Sequence, residues 1–178
     1  MRGKTSRALV ATVFVATALL PVGATAAAPV TANGGGQGTY GGDFDGNGTI
    51  DGSHFGFGVV FAPGGSAQGH FLCQMAGNVP FLGLKLMAVE GRVTWGSADV
   101  RSGAATFGGV AARVNLANGQ IFTDVPFRVA ITAGGPGAGR LTLTVIGAFD
   151  TVPGDTIPGN GNYDLPIETV ARGSITLH

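Results

Sequence analysis

Charge is scarce in this chain, and so are cysteine and long apolar runs. Its 178 residues carry ten bases and ten acids, so only 11% are charged. No surplus of positive charge is available to draw in a polyanion, which argues against nucleic acid as a partner. A single cysteine, Cys73, excludes an internal disulfide, so the fold has to hold through its core alone. Beyond the N-terminus no stretch reaches the roughly 20 apolar residues that a membrane helix needs. Helical periodicity is almost absent there too, and no G-x-S-x-G elbow, P-loop or H-E-x-x-H occurs.

What is present begins with an export signal. Arg2, Lys4 and Arg7 form a basic start, residues 8–20 form an uncharged run rich in Ala, Val and Leu, and Pro21 and Gly23 break it. Ala24-Thr25-Ala26 follows as an A-x-A cleavage site. The sequence therefore predicts a signal peptide over 1–26, a short linker over 27–32 and one domain over 33–178. Removing the leader takes three bases with it and leaves seven against ten acids, a net charge of −3. The remaining chain, about 150 residues, is the size of one ordinary domain with a real core. The expected mature protein is secreted, with no membrane span and with a cell-surface or protein partner.

Period-2 alternation recurs along that domain. Phe55, Phe57, Val59 and Phe61 share one face, with Gly56 and Gly58 opposite, where the absence of side chains suggests a bulge or the close approach of another backbone. Residues 69–75 read as the hairpin partner of this run. There Cys73 alternates with Phe71 and Met75 and reads as a buried small hydrophobe, with His70 on the other face. Val89, Val93 and Trp95 alternate with Glu90, Arg92 and Thr94; Val110, Ala112, Val114 and Leu116 do the same further on. Asn118-Gly119 is the strongest short hairpin signal, and Val125, Phe127, Val129 and Ile131 form the return strand. Pro126 within it suggests a strand start or an edge. Such short strands at roughly ten-residue intervals predict an all-β fold, a single antiparallel sandwich or flattened barrel of about eight to ten strands.

Several glycine-rich landmarks recur in a recognisable order: Asn33-Gly34-Gly35-Gly36, Phe55-Gly56-Phe57-Gly58, Gly69-His70-Phe71, the Gly-Pro-Gly loop at 135–137, and Gly173-Ser174-Ile175-Thr176-Leu177-His178. In this order the chain resembles the post-COAP type of module, β-rich domains of secreted or surface-attached bacterial proteins. The resemblance spans roughly residues 33–178 and implies an exported bacterial β-domain with no established activity. The chain departs from the pattern at Ala133 and at Gln74-Met75, where those modules tend to carry an Asp and an Asp-His pair.

Three groups of residues are candidate sites. Asp43, Asp45, Asn47, Thr49 and Asp51 follow the first nine positions of a calcium loop, with Gly48 at its sharp turn. The twelfth position holds His54 instead of a bidentate Glu, so a weak calcium ion and a plain polar turn both stand as readings. Asp150, Asp155, Asp164 and Glu168 cluster in the turn-rich stretch before the last strand and could do acid–base work if held across a cleft. His54, His70 and His178 have no local metal-ligand spacing. The leading expectation is a non-catalytic structural or binding module. The alternatives are a small hydrolase using the loop carboxylates, or a barrel whose interior holds an apolar ligand against Phe55, Phe57 and Trp95.

Overall fold

The computed structural model describes residues 28–43, 48, 50–76, 86–116, 119–151 and 155–178. The expected leader lies outside them, as do Asp45, Asn47 and Thr49 of the Asp-rich loop. Among the described residues nine strands form one antiparallel sheet: β1 (Val30–Thr39), β2 (Gly52–Phe61), β3 (Ser66–Ala76), β4 (Leu86–Asp99), β5 (Ala104–Leu116), β6 (Ile121–Thr132), β7 (Arg140–Ile146), β8 (Asn162–Asp164) and β9 (Glu168–Leu177). No helix occurs among the described residues. The all-β expectation holds, in its single-sheet rather than its two-sheet form.

The first seven strands pair each with the next, and β9 returns to pair with β1. Because β7 pairs β6 on one edge and touches β9 on the other, the ladders close into a ring. The β7–β9 seam is short, with only Arg140↔Thr169 and Leu141↔Glu168 in register. The Gly-Pro-Gly segment seals it: Gly134 and Ile175 exchange two backbone bonds of 2.9 Å, and Gly137 N donates to Val170 O at 2.8 Å. The short β8 lies beyond the seam, on the same edge of β7. Strand β1 begins at Val30, so half of the expected linker is ladder, anchored by Thr31 bonding His178 in both directions.

The inside of the ring is filled by aromatic rings. Phe71, Phe107 and Phe127 are fully buried; Phe107 meets Phe57 at 5.2 Å and Phe71 at 6.1 Å between centroids, and Phe71 stacks on Phe127 at 5.8 Å. So many large rings fit because glycines stand opposite them. In the ladders Phe57 faces Gly34, Phe71 faces Gly91, Phe107 faces Gly96 and Phe127 faces Gly109. A Cβ at Gly34 would overlap the Phe57 ring edge, and one at Gly96 would lie 2.8 Å from Phe61 and 2.9 Å from the Phe107 Cβ. Large and small residues thus alternate across the core, which is how a packed interior is filled without voids.

Four sequence expectations need correction. Val110 is 64% exposed, because β5 changes phase beside it: Ala105, Phe107 and Gly109 face inward before it, and Ala112, Val114 and Leu116 after it. Trp95 shifts likewise. Gly96 takes the inward place opposite Phe107, and the indole lies on the other face over Gly108, so Trp95 does not join Phe55 and Phe57 in the interior. Gly56 and Gly58 admit no backbone closely: a Cβ at Gly56 would meet nothing within 4 Å. Pro126 lies inside β6, where β5 bulges between Gly109 and Ala112 and one residue before the β7 ladder begins at Phe127. The bulge and the unpaired position accommodate its missing N–H.

Candidate functional site

A groove of about 780 Å³ lies on the outer surface of β5, β6 and β7. Alternation builds its floor. Leu141, Leu143 and Val145 point into the core, so Thr142 and Thr144 point out, with Arg128 and Ala130 opposite them on β6. Its wall comes from residues 156–157 and 164–167, before β9, which present Ile157 and Ile167 beside that floor. These two are 57% and 61% exposed, although they flank a concavity.

Polar bonds hold the wall in place. Asp150 accepts the backbone N–H of Gly159 at 2.7 Å and of Gly161 at 2.9 Å, which keeps its carboxyl below the usual value. Asp155 accepts from the backbone of Ile157 at 3.0 Å and of Asp164 at 3.2 Å. The Asp164 carboxylate accepts from Thr144 Oγ1 at 2.8 Å and from Asn160 Nδ2 at 2.7 Å, tying the wall to the floor. Phe149 and Thr151, on either side of Asp150, adopt φ of 62° and 63°, a left-handed backbone unusual for such side chains.

The fourth carboxylate of the sequence cluster lies elsewhere. Glu168 opens β9 opposite inward-facing Leu141, whereas Asp164 pairs with outward-facing Thr144. The two acids therefore lie on opposite faces of the sheet, and no shared cleft holds them as an acid–base pair. Glu168 is 2% exposed, and Ser53 Oγ lies 2.8 and 2.7 Å from its two oxygens. Burial raises its pKa, while hydrogen bonds from Ser53 and Tyr40 act in the opposite direction. Burial first, then the nearby Glu168 charge, pushes up both the Tyr40 phenol and the Cys73 thiol. Gly38 makes room for this carboxylate, since a Cβ there would overlap Glu168 Oε2. Tyr40 belongs to this buried cluster and also lines the groove.

The Asp-rich loop is described only in part. Asp43 Oδ2 accepts the Gly48 N–H at 2.7 Å, and Asp51 is 4% exposed, with its backbone bonded to Tyr40 and Gly42. Asp45, Asn47 and Thr49 lie outside the described residues, so the calcium and plain-turn readings both stand. Among the described residues no three His, Cys, Asp or Glu side chains are gathered around one point. His70 pairs with Glu90 at 3.1 Å on the outer face, and Cys73 is buried on the inner one, as the alternation predicts.

Sequence reading missed the groove. Arg128, Thr142 and Thr144 occupy outward positions in their strands, but so does any solvated residue. Only the return of the wall makes them a site. Compared with family models, with curated proteins and with solved structures, the chain finds no match in any of the three.

Proposed function

We propose that this chain is an exported bacterial β-domain that works without catalysis, as a binding or structural module of the envelope or the extracellular space. The basic start, short apolar run and A-x-A site support export, and the resemblance to post-COAP modules supports the bacterial setting. The observation that carries the binding role is the groove itself. Its volume lies within the range of small-molecule sites, and a loop fixed by three aspartates walls it. An apolar ligand inside the ring, by contrast, would have to displace Phe71, Phe107 and Phe127.

Export is tested by producing the full chain in a bacterial host and sequencing the N-terminus of whatever leaves the cytosol. The expected result is a protein outside the cytosol that begins at Ala27. A chain retained in the cytosol with its first 26 residues intact overturns the reading.

A further inference from the structure

We infer that the outer groove binds a small amphipathic carboxylate, with its head group on Arg128 and its apolar body along Ala130, Ile157 and Ile167. This rests on the binding-module reading and adds the class of ligand.

The arrangement at the head of the groove carries the inference. Arg128 is half exposed, and its Nη2 lies 4.0 Å from Asp164 Oδ1 and 3.5 Å from Thr144 Oγ1, both at the outer limit of contact. A guanidinium prefers two short parallel bonds to one carboxylate. Asp164 does not supply them: its nearer oxygen stands 4.0 Å from the guanidinium, and Thr144 and Asn160 donate to its two oxygens at 2.8 and 2.7 Å instead. Among the described residues, the cation lines the groove with no carboxylate nearer than Asp164 at 4.0 Å. A ligand carboxylate would complete that geometry.

The rest of the groove sets the body of the ligand. A second concavity of about 270 Å³ continues the first and shares Ala130, Thr142 and Ile167 with it. Together they run along β6 from Arg128 toward Thr132, four residues or about 14 Å of strand. Arg140 borders the far end, but its Nη1 donates to Gly137 O and Gly139 O at 2.9 and 3.0 Å. Arg128 at one end, with its carboxylate neighbour no nearer than 4.0 Å, an apolar trough behind it, and an Arg140 already bonded to backbone carbonyls at the other end fit a single head group on a linear tail.

The probes are decanoate, its neutral counterpart decanol, and acetate, each titrated into the isotope-labelled chain as purified, processed or not. Decanoate is expected to shift the backbone signals of Ala130, Thr142, Ile157 and Ile167, with decanol weaker and acetate without effect. Arg128→Ala should weaken decanoate about tenfold, as the loss of a charge-assisted bond implies, and leave decanol unchanged. Ile167→Ser should weaken both, while Arg92→Ala, on the exposed face of β4, should alter neither. The same spectra show whether each variant is folded. Equal affinity for decanoate and decanol, shifts confined to other strands, or no shifts up to the solubility of decanoate would each overturn the inference. Because export is read from the N-terminus and ligand class from these titrations, either can fail while the other holds.

Discussion

Replacing Gly34 by alanine should destabilise the native chain, and the same replacement should stabilise it once Phe57 has been cut back. Gly34 has an ordinary strand φ, so its backbone tolerates a side chain; the obstacle is the Phe57 ring directly across the ladder. That ring is 8% exposed and held against Phe107 at 5.2 Å, so it has nowhere to retreat without disturbing a second fully buried ring. Overpacking of this kind costs about 1–3 kcal/mol. Truncating Phe57 to alanine costs about 3–5 kcal/mol through the lost burial and the space left behind. In that background the methyl introduced at position 34 meets no ring, and a strand glycine exchanged for alanine gains about 0.5–1 kcal/mol. The sign of Gly34→Ala therefore reverses between the two backgrounds. The coupling should be about 1.5–4 kcal/mol, in or just above the usual range for residues in contact. Urea unfolding of the four proteins, followed by circular dichroism, measures it, with Phe57→Leu as a milder background. If Gly34→Ala costs the same with and without the Phe57 ring, the idea that glycines make room for the aromatic core is wrong.

Two further predictions concern the acidic residues. Glu168 has a raised pKa in the folded chain, so between the ordinary Glu value of about 4.3 and that higher value the native state binds more protons than the unfolded one. Stability should therefore fall as pH rises through this interval, and Glu168→Gln should flatten the fall; denaturant midpoints across the interval measure it, and an unchanged slope refutes it. Tyr40, Ser53 and Cys73 face the same carboxyl, and of these groups only Glu168 titrates in that interval. For the Asp43–Asp51 loop, the plain-turn reading expects the same melting temperature in chelator and in millimolar calcium. A calcium site at ten times its Kd would add about 1.4 kcal/mol, or roughly 3–5 °C, and a rise of that size abolished by Asp43→Asn would overturn the turn in favour of the ion.

The fold was legible where one residue's neighbours in sequence decide its environment. Alternation in Phe55–Phe61 and in Val125–Ile131 indicated which side chains face inward, and the Asn118-Gly119 signal placed the β5–β6 hairpin. It was illegible where two strands jointly change phase. Val110 and Trp95 break their alternation together, and neither run shows this alone because the compensation lies in the partner strand. The aspartates show the same limit. Spacing grouped Asp150, Asp155, Asp164 and Glu168, and the sheet then divided them, since neighbouring positions on either side of a seam can face opposite ways.

Local chemistry along the chain was enough to set the class of the protein: one all-β chain, stabilised without disulfides, with short strands, frequent turns and an aromatic face on several of them. The period of two, the turn residues and the single cysteine carry that much. The closure of the sheet into a ring, the glycines opposite the large rings and the enclosure of Glu168 came only with the packed fold. So did the exposure of Arg128 to a groove, with Asp164 no nearer than 4.0 Å. Each of these depends on which strand lies beside which, and a pairing between residues more than a hundred positions apart, such as Ser53 with Glu168, leaves no trace in local pattern.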